Sequence, residues 1–254
     1  MFLRPRVGPR GRAVRAFSAV LLATLALSAC SSDYGAEKGA TKQSRDILDL
    51  WRPMIVIALC ILALVVGLVV WVVVRYRARG RSDEPNQRQY VIPIEVLYTA
   101  VPILILAVIF GLSYKTQDEV DALDKRPAET IDVRGFQWQW QFHYRGDDIT
   151  VTGLPGKPPV MMLPVGETVR LNLRSGDVIH SFYVPAFLYK RDVIPGVHNR
   201  VDIDVTDPGT YTGYCAEFCG LDHARMTFVV KAVSRSAFRD WAEQHAGAHL
   251  EGAA

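Results

Sequence analysis

Ile131-Asp-Val-Arg-Gly-Phe-Gln-Trp-Gln-Trp-Gln-Phe-His-Tyr144 decides how the C-terminal part of this chain is built. Apolar or aromatic side chains stand at 131 and 133, then at 136, 138, 140, 142 and 144, with polar residues between them. Alternation of this kind sends successive side chains to opposite faces of an extended chain, so the stretch reads as strand with one face buried. On that reading Trp138 and Trp140 share a face. Further strand candidates follow at 149–152, 160–163, 168–173, 178–184, 200–205, 209–214 and 226–233. Turn signals such as Gly146-Asp147, Pro155-Gly156, Ser175-Gly176-Asp177, Pro195-Gly196 and Asp207-Pro208-Gly209 separate them. Many short strands at this spacing predict an antiparallel sandwich or barrel, closed by a helix over 236–245.

Upstream the pattern changes completely. Residues 54–74 carry no charge and are numerous enough to cross a membrane as a helix, with Trp51 and Trp71 near the two ends as interfacial aromatics. Residues 96–114 form a second such run, with Pro102 inside and Glu95 at its start. Between the runs lie Arg75, Arg77, Arg79, Arg81 and Arg88 against only Asp83 and Glu84, which places this loop in the cytoplasm and everything after Lys115 outside. The N-terminus reads as a targeting segment: Arg4, Arg6, Arg10, Arg12 and Arg15 precede a short apolar block over 16–27. Leu27-Ser-Ala-Cys30 resembles the lipobox of bacterial lipoproteins, so cleavage there leaves Cys30 as a lipidated N-terminus.

The expected organisation is therefore a lipoprotein-type signal peptide over 1–29, an exported tether over 30–50 and a transmembrane helix over 51–75. A cytoplasmic loop over 76–93 and a second transmembrane helix over 94–115 follow. The folded domain occupies 116–234, and a C-terminal helix and tail 235–254. The expected location is a bacterial cell membrane, crossed twice, with the domain on the outer face.

Charge divides the 254-residue chain the same way. Residues 1–115 hold fifteen Lys and Arg against seven Asp and Glu; residues 116–254 hold fourteen against nineteen. An acidic outer part suits a cationic partner and gives no support to nucleic-acid binding.

The chemistry concentrates in Cys215-Ala-Glu-Phe-Cys219-Gly-Leu-Asp-His223-Ala-Arg-Met226, a loop between two strand candidates. Two thiols, an imidazole and a thioether make a soft donor set that suits copper better than calcium or magnesium. A second imidazole, His180, lies at the edge of another candidate strand. A Cys215–Cys219 disulfide would leave His223 and Met226 unexplained, and zinc would leave Met226 idle. A single blue-copper centre needs only one thiolate, so two Cys, two His and one Met are more naturally shared by two copper ions bridged by both sulfurs.

Cys-Ala-Glu-Phe-Cys-Gly-x-x-His-x-x-Met with the upstream His180 closely resembles the binuclear copper-A site of haem–copper cytochrome c oxidase subunit II. The resemblance extends to the two membrane runs, to Gly135-Phe-Gln-Trp138-Gln-Trp140, to Val178-Ile-His180-Ser-Phe and to Lys190-Arg-Asp192-Val-Ile-Pro195-Gly196. It implies a membrane-anchored all-β fold: two transmembrane helices followed by a cupredoxin-like antiparallel β-sandwich. It further implies that Cys215 and Cys219 bridge two coppers, that His180 and His223 each bind one, and that Met226 and the Glu217 backbone carbonyl complete them. The Glu217 side chain resembles a magnesium ligand at the interface with the catalytic subunit, and Asp192 a nearby acidic position. Trp138 matches the tryptophan through which electrons enter from cytochrome c. Glu95 matches a carboxylate at the cytoplasmic mouth of a proton channel.

The activity so implied is electron entry into a proton-pumping, oxygen-reducing oxidase. The expected partners are a haem-bearing catalytic subunit, further oxidase subunits, a c-type cytochrome and membrane lipid. The chain has no Cys-x-x-Cys-His haem attachment, so the haem donor is another polypeptide. Two rivals remain at this level: a quinol-oxidase subunit, which lacks these copper ligands, and a membrane-anchored copper carrier outside any oxidase.

Overall fold

Helix α1, Lys42–Arg75, starts where polar chemistry starts it, well ahead of the apolar run. In this computed structural model, which describes residues 34–77, 87 and 89–252, Thr41 caps α1 through a reciprocal pair. Its hydroxyl accepts the Ser44 N–H at 3.0 Å, and the Ser44 hydroxyl accepts the Thr41 N–H at 2.9 Å. Such a capping box satisfies two donors left free by the first helical turn. The tether expected up to residue 50 is therefore helical from 42 onward. Hydrophobicity marks where a helix can cross a membrane, whereas the cap decides where it begins. Helix α2, Ile92–Asp121, likewise outruns its apolar run, with a Lys115–Glu119 pair at i,i+4 supporting its polar end. Both helices are long and apolar enough to cross a membrane. The expected signal peptide, Cys30 and most of the cytoplasmic loop lie outside the described residues.

Of the described residues, 34–37 belong to a separate short unit and 38–252 to the main one. After α2 come β1 (Glu129–Phe136), β2 (Gln139–Tyr144), β3 (Ile149–Thr152), β4 (Val160–Pro164), β5 (Thr168–Ser175) and β6 (His180–Val184). They are followed by β7 (Tyr189–Val193), β8 (Asn199–Asp204), β9 (Gly209–Cys215), β10 (Thr227–Val233), helix α3 (Arg235–His245) and β11 (His249–Glu251). Two sheets face each other, one in the order β11-β3-β2-β1-β5-β8 and the other β4-β10-β9-β6-β7. Most neighbours are antiparallel, but β1/β5, β4/β10 and β3/β11 are parallel, joined by long connections. Strands β7 and β11, both at sheet edges, carry no alternating apolar pattern.

Between the sheets Trp140, Phe142, Phe182 and Phe228 are shut away from solvent and meet edge-on or stacked, Phe182 and Phe228 with ring centres 4.7 Å apart. The aromatic stretch changes phase at its centre. Gln137 and Trp138 form the β1–β2 turn, so 131, 133 and 135 point inward on β1 and 140, 142 and 144 on β2. Trp138 does not share the buried face of Trp140. A tight turn reverses the chain and resets the alternation, which a period-two count cannot register.

The hairpin is clamped to the sandwich beside α1. The Ala40 carbonyl accepts the Thr206 N–H, Gln43 bonds Asp202 and Asp204, and Arg45 pairs with Asp207. At the end of α2, Asp121 accepts from Arg191 and from the Tyr189 hydroxyl.

Candidate metal centre

Strand register assembles the site. Strands β6 and β9 pair with Phe182 opposite Cys215, so His180, two residues outward, stands beside the chain just beyond the end of β9. The Cys215–Met226 loop is pinned at its base, where the Cys215 N–H reaches the Met226 carbonyl at 3.0 Å. Ala216 N–H adds a bond to the Ser181 carbonyl at 3.0 Å. Cys215, Cys219, Met226 and His180 are all buried, while Glu217 and His223 are partly exposed.

The donor atoms converge on the two sulfurs. Cys215 Sγ lies 3.8 Å from Cys219 Sγ, 3.8 Å from His180 Nδ1 and 3.2 Å from the Glu217 carbonyl oxygen. Cys219 Sγ lies 3.6 Å from His223 Nδ1 and 3.7 Å from Met226 Sδ. The ligand atoms of His180, Cys215 and Cys219 all fall within 4.8 Å of one another. Sulfurs at that separation can both reach one ion at the thiolate–metal distance of about 2.3 Å, and each sulfur has an imidazole beside it. The set fits a soft metal such as copper.

Electrostatics support the same fit. Burial opposes ionisation of Cys215, but bonds from His180 and from backbone groups outweigh it and bring this thiol down to about 6. Burial and then the neighbouring Cys215 charge push the Cys219 thiol up to about 12. One thiolate forms readily and a second beside it does not, unless positive charge arrives to compensate both.

Several groups that orient this centre escaped the sequence reading. The Asp177 carboxylate lies 2.8 Å from His180 Nε2 and turns the other ring nitrogen toward Cys215. Its second oxygen accepts the Gln137 N–H at 2.7 Å, tying the β1–β2 turn to the same loop. A carboxylate three residues before a histidine ligand was the available signal. Gly135 has no side chain because His180 and Trp140 occupy its place: a Cβ there would stand 3.2 Å from the imidazole and 3.3 Å from the indole. Gly220 has φ +115, and a Cβ would meet Gln137 and Trp138 at 3.1–3.2 Å.

The remaining expected residues fall in three places. The Trp138 indole N–H donates to the Cys219 carbonyl at 3.1 Å, next to Gln137 Nε2 on the same oxygen at 2.8 Å. The Glu217 carboxylate is paired with Lys190 at 2.8 Å, and Asp192 keeps a buried, unbonded oxygen nearby on β7. Glu95 is remote from all of these. It sits in the first turn of α2, accepts the Val91 N–H at 2.9 Å, and lines a groove with Ile92, Thr99 and Ile103.

Comparison with known proteins gives a consistent result. A family model described as cytochrome c oxidase subunit II, periplasmic domain, matches residues 157–233, and its transmembrane-domain counterpart matches 29–116. The chain is similar to a probable cytochrome c oxidase subunit 2 of Streptomyces coelicolor, 35% identical over 95% of this chain and 88% of that one. Similarity to the cytochrome c oxidase subunit 2 of Mycobacterium tuberculosis is 29% over 95% and 85%. Among solved structures, the periplasmic domain of subunit II of cytochrome oxidase from Bradyrhizobium japonicum is 30% identical. It covers 48% of this chain and 96% of that one, with a TM-score of 0.45.

Proposed function

The chain belongs to the cytochrome c oxidase subunit II family, and on that footing we propose that it is the electron-entry subunit of an aerobic respiratory terminal oxidase. It takes single electrons from a c-type cytochrome at a binuclear copper site. It hands them to haem in a separate catalytic subunit, where oxygen is reduced to water and protons are pumped. The observation that carries this reading is the ring of donors around the two sulfurs: Glu217, His223 and Met226 from one loop, and His180 from the adjacent strand of the same sheet.

A pair of copper ions held there supplies reversible uptake and release of one electron, with the charge change spread over both. Cys215, Cys219, His180, His223, Met226 and the Glu217 carbonyl would hold the pair. Asp177 holds His180 in one orientation, so little has to rearrange when the charge changes. Trp138 is the entry point: its N–H bond to the Cys219 carbonyl links a partly exposed ring to a sulfur-bearing residue. The Glu217 carboxylate would hold a magnesium ion shared with the catalytic subunit by exchanging Lys190 for it, with the unbonded Asp192 oxygen close by. Glu95 marks the cytoplasmic mouth of a proton path. The mature protein starts at a lipidated Cys30, and the hairpin holds the sandwich on the outer face.

The test is gentle solubilisation of the full chain with whatever accompanies it. Two coppers per chain, a mixed-valence paramagnetic spectrum and a copurifying haem subunit are expected. One copper with single-site hyperfine structure would break the binuclear assignment. Copper without any haem partner would favour a carrier.

A further inference from the structure

Net charge conceals a polar distribution. Strand register places Glu129, Asp147, Asp148, Glu167, Asp204 and Asp207 at one end of the six-stranded sheet, the end remote from the copper loop. The opposite end, where Gly135 pairs with both Trp140 and Ser175, carries the Trp138 turn and the 175–179 loop. There Arg134 and Arg174 are direct neighbours across β1 and β5, both exposed on the outer face, and Arg200 lies one row further on β8 beside Asn172. Like charges side by side in a sheet are unfavourable, and the carboxylate whose charge acts on Arg174, Asp132, stands two residues further along β1.

The carboxylates at this end do not neutralise it. Asp177 is committed to His180 and to the Gln137 and Val178 N–H groups, Glu217 to Lys190, Asp222 to Arg225, and Asp132, which acts on Arg174 only without contact, to Arg145 and Asn172. Among the described residues, Arg134, Arg174 and Arg200 have no ion-pair partner within 4.0 Å. The Arg134 head lies against Gly176: a Cβ there would be 2.9 Å from its Nε. That position adjoins Asp177 and, through it, the Trp138 turn. On the other side of Trp138, past Gly220, Leu221 is 88% exposed and Phe218 81% exposed. An apolar centre with a charged rim is the anatomy of a protein–protein contact.

We propose that the surface around Trp138 docks an electron donor whose haem-edge face is acidic, with Arg134, Arg174 and Arg200 as its cationic rim and Leu221 and Phe218 as its apolar centre. The inference rests on the electron-entry reading and deepens it. It reverses the partner charge suggested by the net acidity of residues 116–254. Because steering depends on charges near the contact, the distant carboxylates matter less, the more so once the Debye length falls to about 8 Å.

The experiment uses the copper-loaded full chain in its solubilised complex. Two reduced c-type cytochromes of similar potential, one with an acidic haem face and one with a basic one, are mixed with it rapidly from about 20 to about 300 mM salt. The acidic cytochrome should react fastest at low salt and slow about tenfold across the series, while the basic one stays flat or quickens. R134E/R174E should remove most of the low-salt advantage, and R134Q/R174Q should act in the same direction more weakly. Asp147→Lys/Asp148→Lys, at the far end, should change neither rate. A basic cytochrome that reacts faster at low salt, or an acidic one indifferent to both arginine pairs, overturns the proposal. If a small neutral reductant also fails to reduce the copper, the electron-entry reading itself falls, and the docking proposal falls with it.

Discussion

In the helical hairpin Leu62, Leu64, Val69 and Val73 stand 56–65% exposed, while in the sandwich Trp140, Phe142 and Phe228 have no exposure at all. The two regions are comparably apolar in the residues that matter, yet one turns them outward and the other inward. A lone pair of helices cannot cover its own apolar surface, so the hairpin depends on an apolar surrounding such as lipid. The sandwich supplies its own cover from facing sheets, and its candidate metal ligands stand on that interior. Identical residue types should therefore respond differently in the two regions.

Cysteine offers the largest contrast. Cys219→Ser should abolish copper binding and its paramagnetic spectrum, because the remaining thiolate cannot bridge two ions. Cys60→Ser, on the exposed flank of α1, should leave copper per chain and the spectrum unchanged. A copper deficit in the Cys60 variant would erase the distinction.

Truncating an apolar side chain sharpens the comparison at the next level. Phe182 packs against Phe228 and Trp140, directly opposite Cys215 and two residues from His180. Phe182→Ala should destabilise the sandwich by about 3–5 kcal/mol, seen as a lower thermal midpoint in near-ultraviolet dichroism. Leu64→Ala in the hairpin should leave that midpoint in place.

Where the regions join, the effect is intermediate. Thr41 is buried, pairs with Val205 in an isolated bridge and caps α1. Thr41→Ala should cost about 1 kcal/mol, and Thr41→Ser should restore most of it. Equal midpoints for parent and alanine variant would show that the cap belongs to the hairpin alone.

The smallest effect concerns the acidic end of the sandwich. Burial raises the Glu129 carboxyl above its usual range, against bonds from the Thr130 and Gly146 N–H groups that favour its charge. A carboxyl raised in the folded state contributes stability below its unfolded value of about 4.3 and loses that contribution as pH rises through the folded one. At pH 7 the charged Glu129 is therefore unfavourable. Glu129→Gln should stabilise slightly at neutral pH, by less than the Thr41 change removes, and make no difference near pH 3. A gain that persists in acid would assign the effect to packing.

Legibility followed the range of the interaction. The membrane runs, the alternating strands and the donor set of Cys215, Cys219, His223 and Met226 were readable because each is written in adjacent or closely spaced residues. The start of α1 was written locally too, in Thr41 and Ser44, but the apolar run masked it. The phase reset at Gln137–Trp138 was hidden because its own aromatics continued the count through the turn. Asp177 was seen only as part of a turn signal: its three-residue spacing from His180 could have suggested a partner, but only the loop's fold turns the carboxylate onto Nε2.

What the amino-acid sequence determined by itself was the division into an apolar hairpin and a β-rich domain, and the soft chemistry of one loop. Periodicity and residue type act over a few positions and carry that information directly. Only the tertiary structure decided that His180 meets Cys215, that Trp138 sits in a turn at the core's edge and touches the Cys219 carbonyl, and that Arg134 stands beside Arg174 with the acidic residues at the other end. Those outcomes depend on register between strands far apart in the chain, including one parallel pair. Register is settled by burying the whole core at once, and no local pattern specifies it.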